Sequence, residues 1–174
     1  KPLVAVNHME GHIVSVLMGS GQNSDSEVQK STEVQFPALA LLISGGHTEL
    51  VLVENWHKYK IVGQTQDDAV GEAFDKVARM LELPYPGGPK ISKLAKEWRD
   101  VLNEPTNASE SEPTNAMKNI WTLPRPMIHS KDYNFSFSGL KTAVLYALKN
   151  KVQADGAISD TEKKKLCAEF EEAV

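Results

Sequence analysis

Hydrophobic positions change period along the chain, and the changes mark its elements. Residues 3–6 are a short apolar run, read as a buried strand or as the lead-in to a helix that carries His8, His12, Ile13, Val16 and Leu17 and ends near Gly19. Residues 19–35 are rich in Ser, Gly, Asn and Gln and read as a long polar connection. Two apolar, β-prone runs, 38–43 and 49–53, flank Gly45-Gly46 and predict a hairpin, with a further strand at 59–62. Asp67 or Asp68 can then cap a helix whose inward face is Val70, Phe74, Val77 and Leu81. Pro84, Pro86 and Pro89 interrupt that helix, and residues 91–98 resume helical periodicity. Residues 104–108, Glu-Pro-Thr-Asn-Ala, recur at 112–116, so a polar surface loop is expected over about 103–117. Residues 135–137 predict a strand, Ser138 a cap, and 140–148 an apolar-faced helix. Strands and helices alternate without a long repeat, which places the chain in the α/β or α+β class.

Composition narrows the picture. At 174 residues, 41% hydrophobic and 24% charged, the chain fits one domain or a compact part of a larger one. A formal charge of −4 gives no overall attraction to nucleic acid, so an RNA substrate would need a local basic patch or a partner's surface. Lys163, Lys164 and Lys165 form a basic run, but acidic residues flank it and a solvated helix face is expected. One cysteine, Cys167, excludes an intramolecular disulfide and agrees with a reducing compartment, the cytoplasm or an organelle matrix. No signal peptide is evident and no apolar run approaches the ~18 residues of a membrane span. The chain opens without an initiating methionine and ends inside a helical pattern, so it is read as an internal fragment.

The chemistry starts at His8 and His12. Four residues apart on a helix, they share a face and can hold one metal ion. A zinc-peptidase arrangement is disfavoured: Glu10 lies about 200° round from His8 at ~100° per residue, pointing away from a metal held by the pair. Between the two predicted hairpin strands, Ser44-Gly45-Gly46-His47-Thr48 is either a turn or a loop whose backbone N–H groups meet an anion, with the Ser44 and Thr48 hydroxyls adding phosphate contacts. No Gly-Lys-Ser/Thr follows, so this is not a Walker loop. Asp75 lies off its helix's apolar stripe, either paired with Arg79 or available to ribose hydroxyls. Gly87 and Gly88 either punctuate a helix or let backbone lie flat against a nucleoside. His47, His57 and His129 lack metal-ligand spacing, and His57 is expected at the surface.

Five stretches in order carry a resemblance: residues 8–12 (HMEGH), 42–48 (LISGGHT), 68–76 (DAVGEAFDK), 85–89 (YPGGP) and 135–142 (FSFSGLKT). Together they closely resemble the universal tRNA N6-adenosine threonylcarbamoyltransferase family, over nearly the whole chain outside the two polar loops. The resemblance implies an actin-like, Hsp70-like (ASKHA) nucleotide-binding fold, with residues 1–174 forming most of one lobe. It implies transfer of a threonylcarbamoyl group from threonylcarbamoyl-adenylate to N6 of adenosine 37, in tRNAs that read codons beginning with A. His8 and His12 would ligate one divalent metal, iron or zinc. Leu42, Ile43, Ser44, Gly45 and Gly46 would line the adenylate (threonylcarbamoyl-AMP, or ATP, ADP or AMP), with Asp75 at the ribose and Gly88 against the nucleoside. The family's third metal ligand, an aspartate, and a further nucleotide-binding asparagine fall beyond Val174. The resemblance therefore implies that these residues alone bind metal and nucleotide weakly and do not transfer the group. In bacteria it implies a paralogous subunit and an ATPase helper as partners beside tRNA, in the cytoplasm, with the mitochondrial matrix as the eukaryotic counterpart. Two other readings stand beside it. One is a non-catalytic actin-like scaffold, which would need neither histidine; the other is a metallo-endopeptidase, which the placement of Glu10 opposes.

Overall fold

The computed structural model describes residues 2–18, 35–103 and 121–174. Among these the order is α1 (His8–Met18), β1 (Ala38–Ile43), β2 (Thr48–Asn55), β3 (Lys58–Gln64), α2 (Val70–Met80), α3 (Gly87–Asn103), α4 (Ser138–Asp155) and α5 (Asp160–Ala173). The polar connection before Gln35 and the repeated Glu-Pro-Thr-Asn-Ala segment lie outside the described residues. The fold is α/β, a three-stranded antiparallel sheet in the order β1-β2-β3 followed by helices.

The predicted hairpin forms in the register Ile43↔Thr48 and Leu41↔Leu50, so residues 44–47 make the turn. Alternation does the sorting: along β1, Ala38, Ala40 and Leu42 are half-buried while Leu39, Leu41 and Ile43 are exposed. On β3, Gly63 is required by a close approach. A Cβ there would lie 1.9 Å from the Tyr133 carbonyl oxygen, so only glycine lets the segment before α4 cross the strand. That segment is fastened by Phe135 N–H to Gln64 O and Gln66 N–H to Phe135 O.

The core sits among the last four helices. Ala73 and Val77 of α2, Ile91 and Ala95 of α3, Leu140 and Val144 of α4, and Leu166, Cys167 and Phe170 of α5 are fully buried; pairs four apart, and Cys167 three before Phe170, keep each set on one helix face. Phe74 meets Phe170 edge to face, 5.0 Å between ring centroids. Burial, with the nearby Glu171 carboxylate second, pushes the Cys167 thiol up to about 12 against the smaller opposing effect of Lys163, so it behaves as a small apolar core residue.

Several local expectations change. Residues 3–6 are neither strand nor helix and are exposed. Residues 135–137 make a single bridge, Thr65↔Phe135, instead of a strand. Neither Asp67 nor Asp68 caps α2, whose N-cap is Ala69 without a side-chain bond; the buried Thr48 Oγ1 accepts from Val70 N–H at 2.9 Å instead. Ser138 is the first residue of α4 and does not cap it. Asp67 serves that end, accepting from the hydroxyls of Ser136 (2.6 Å) and Ser138 (2.7 Å) and the N–H groups of Phe137 (2.8 Å) and Ser138 (3.2 Å). Helix α3 starts at Gly87, four residues before its apolar periodicity. The basic run is not uniformly solvated: Lys164 pairs with Glu97 at 2.8 Å, and Lys165 is buried with Nζ 4.7 Å from the Trp98 ring centre.

Burial raises the Asp67 pKa, but the Ser136 hydroxyl, the Phe137 N–H and the two Ser138 donors outweigh it and hold the carboxyl at about 2. The folded value lies below the ordinary 3.8, so the ionised group stabilises the fold fully above that pH and the contribution is lost as pH falls towards 2. Asp67→Ala is expected to lower stability by about 1 kcal/mol at neutral pH, an exposed cap's worth, and to flatten the acid limb of the stability curve. Urea unfolding between pH 7 and pH 2 measures both.

Candidate functional site

The first turn of α1 is organised by Asn7, a cap that the hydrophobic pattern alone did not flag. Its Oδ1 accepts from Met9 N–H (2.9 Å) and Glu10 N–H (3.2 Å), so an Asn directly before the helix satisfies two of its free donors. His8 and His12 then fall one turn apart, both exposed, with their Nε2 atoms 3.1 Å from each other. Two ligands at ~2.0–2.1 Å from one metal subtend that gap at about 100°, between octahedral and tetrahedral angles, so the pair fits a single ion. Among the described residues no third His, Cys, Asp or Glu joins them in a metal-binding group. Glu10 points elsewhere: its Oε1 lies 2.8 Å from Nδ1 of His57, which is at the surface as expected.

The hairpin turn holds itself together. Ser44 N–H donates to His47 O at 2.9 Å, and the Ser44 hydroxyl accepts from the N–H groups of Gly46 (3.2 Å) and His47 (3.0 Å). That hydroxyl therefore shapes the loop, and the Thr48 hydroxyl, buried against α2, is not presented to a ligand, contrary to the expectation for it. Gly45 and Gly46 have open space where a Cβ would stand. The turn rests on the first turn of α2, where a Cβ on Gly71 would meet Ser44 O at 2.7 Å and Gly45 Cα at 3.0 Å. Backbone and dipole of that helix end thus lie beside the glycines.

The structure brings part of the expected set into one hollow. His12, Leu42, Ile43 and Ser44, with Met9 and Ser15, line a cavity of about 200 Å³. His8, Gly45, Gly46, Asp75 and Gly88 are not in its wall. Asp75 follows Gly71 by one helical turn, on the same face of α2, about 6 Å along the axis. It does not pair with Arg79 in an ion pair; its Oδ1 accepts from Gly87 N–H at 2.7 Å, which starts α3. Gly87 is held tightly, since a Cβ there would lie 2.5 Å from that of Ala78, whereas Gly88 faces open space. The larger cavity, about 440 Å³ and lined by residues such as Arg125, Tyr133 and Glu172, contains none of the expected site residues.

On the neighbouring face of α2, Lys76 Nζ contacts Asp68 Oδ1 and Glu72 Oε1, each at 2.8 Å. Lys141 stands 3.7 Å from Asp68 Oδ2. The Asp68 oxygen is buried without a hydrogen bond, so Lys141 serves as its counter-charge.

A strand turn seated on a helix N-terminus, with His12 of the histidine pair lining the hollow beside it, makes this an α/β protein with part of its candidate ligand groups at one strand–helix junction. Over residues 1–174 the chain matches the family model described as tRNA N6-adenosine threonylcarbamoyltransferase, and it belongs to that family. Relatives bearing the same description include proteins of Chromobacterium violaceum, 40% identical over 99% of this chain and 42% of the relative, and of Geobacter metallireducens, 44% identical over 99% and 41%. One from Polynucleobacter asymbioticus is 46% identical over 88% of this chain and 36% of its own length. The chain spans about two fifths of the length of the curated relatives it matches.

Gly71→Ala should displace the residue 44–47 turn and cost about 1–3 kcal/mol, as overpacked sites do. Urea unfolding gives the cost, and amide chemical shifts of Ser44, Gly45 and Gly46 report the displacement. Shifts unchanged from wild type would contradict the close approach.

Proposed function

We propose that the protein carrying this chain transfers a threonylcarbamoyl group from threonylcarbamoyl-adenylate to N6 of adenosine 37 in tRNAs reading codons that begin with A. The observation that carries this reading is the convergence of the His8 and His12 Nε2 atoms at 3.1 Å beside the hollow that His12 shares with Leu42, Ile43 and Ser44. Family membership supplies the substrate class. The antiparallel sheet with its following helices supports an actin-like lobe for these residues.

In this reading His8 and His12 hold a divalent ion, iron or zinc, with further ligation from outside this chain. When bound, such an ion supplies Lewis-acid polarisation of carbamoyl or phosphate oxygens. Leu42, Ile43, Ser44, Gly45 and Gly46 form the wall that receives the adenylate. The open sides of Gly45 and Gly46 admit phosphate close to backbone, and the N-terminus of α2 favours its negative charge. Asp75 has Oδ1 fixed by Gly87 N–H, which aims the carboxylate and leaves Oδ2 for ribose hydroxyls. Gly88, with nothing near its missing Cβ, gives a flat surface to the nucleoside. In the transfer, the adenosine N6 amine attacks the carbamoyl carbon, a C–N bond forms, the C–O bond to phosphate breaks with its electron pair, AMP leaves and N6 loses a proton. Partners in this reading are tRNA, a paralogous subunit and an ATPase helper, in the cytoplasm. No helix among the described residues is long and apolar enough to cross a membrane.

A peptidase reading loses its base, because Glu10 is engaged by His57 away from the histidine pair.

Mass-spectrometric nucleoside analysis tests the proposal, using tRNA, threonylcarbamoyl-adenylate, partner proteins and the full-length protein. Modified adenosine is expected from wild type and a loss of it from His8→Ala. No modification from wild type, where a working relative modifies the same tRNA, would leave the scaffold reading. A second variant separates binding from folding. Gly88→Ala should leave stability unchanged or raise it by up to about 1 kcal/mol from helix propensity, while weakening adenylate affinity in calorimetric titration.

A further inference from the structure

Among its described residues, 8–16, helix α1 has no buried side chain. Between it and the sheet lies a cavity of about 270 Å³ whose wall includes Ile13, Val16, Leu39, Leu41, Val53 and Trp56. Val16 on the helix and Leu39 and Leu41 on the strand remain largely exposed, so the helix and β1 do not close on each other. Among the described side chains, the polar contacts that join α1 to the β2–β3 hairpin lie at its first turn. Asn7 Nδ2 donates to the Tyr59 hydroxyl at 2.8 Å, and Glu10 Oε1 meets His57 Nδ1 at 2.8 Å. Asn7 thus has two roles, since its Oδ1 also caps the helix. His57 occupies the hairpin turn at φ 60°, a conformation that Gly or Asn adopts more readily than a ring-bearing residue. Its imidazole is the part of the turn that reaches α1.

We propose that Glu10 and Asn7 are positioning residues for the histidine pair, tying α1 through His57 and Tyr59 to the rigid hairpin. This rests on the reading of His8 and His12 as metal ligands. Both struts act on the turn that carries His8, and His12 lies one turn on, so they set the height and rotation at which His12, with His8 beside it, meets the hollow lined by Leu42 and Ser44. A rotation of the helix about its axis would leave the His8–His12 spacing intact but swing the pair away from the hollow that His12 shares with Leu42 and Ser44. The glutamate inside the histidine motif then has a mechanical purpose in place of a catalytic one.

The test is Co²⁺ titration of the metal-stripped full-length protein, followed by the visible ligand-field spectrum and by competition for affinity. Four forms are compared: wild type, Glu10→Gln, His57→Asn and the double variant. Asn at position 57 tolerates the positive φ and so preserves the turn. Each single variant is expected to weaken Co²⁺ binding about two- to fivefold, the scale of an exposed ion pair, and to alter the spectrum, with an unchanged urea midpoint. The double variant should be no weaker than the worse single one, because the two changes break one link. Additive losses would mean that Glu10 acts on the metal by itself and would overturn the proposal. So would equal affinity in all four forms. Wild type that binds no Co²⁺ would overturn the metal reading and this inference with it.

Discussion

Much of this structure depends on the contact between Gly71 and the backbone of Ser44 and Gly45. A side chain at position 71 would stand 2.7 Å from the Ser44 carbonyl oxygen, inside any distance that real Cβ atoms accept. The absence of a Cβ lets the hairpin turn sit directly on the helix end, and Thr48 Oγ1 then reaches the first helical N–H at Val70. From that seat the rest follows by helical arithmetic. One turn on, Asp75 projects from the same face and receives Gly87 N–H, which fixes where α3 begins. A strand turn, a helix and the start of a second helix are thereby set by contacts along one line.

The polar groups at this junction divide into two uses. Ser44, Thr48 and Asp67 look in sequence like groups for a ligand or for their own helix, yet Ser44 satisfies N–H groups of its own turn and Thr48 and Asp67 satisfy donors elsewhere in the fold. The surfaces left for chemistry are those that the fold does not consume: the open sides of Gly45, Gly46 and Gly88, and the exposed imidazoles of His8 and His12.

The parts legible in the sequence were those governed by period and local chemistry. Alternating and continuous apolar runs marked the hairpin, and the spacing of Val70, Phe74, Val77 and Leu81 marked α2 and its inward side. What escaped was set by distant partners. Asp67 lies beside α2 in sequence, but its carboxylate serves Phe137 and Ser138 some 70 positions on, which no local window contains. The start of α3 at Gly87 depends on Asp75 twelve residues earlier. Lys165 looked solvated because charges surround it in sequence, yet α5 turns it onto the Trp98 ring of α3. The histidine pair itself was readable from its spacing, while its Asn7 cap and its link through His57 required the hairpin to be in place.

Rigidity is unevenly distributed across the site, and the distribution suits its proposed work. The helical cluster around Phe170 buries Leu81, Ile91, Leu140 and Leu166 completely, giving the floor that carries Asp75 and Gly88 a well-packed support. The opposite wall, α1, stands over a cavity and is held by two exposed polar struts. A wall of this kind moves at small energetic cost, because each strut exchanges readily with water. Asp75 and Gly88 are thus carried by helices fixed through core packing, whereas the turn that bears the histidines is held by surface hydrogen bonds. Adjustment of the hollow that His12 shares with Leu42, Ile43 and Ser44 therefore costs least at α1, because those three residues remain on the seated hairpin.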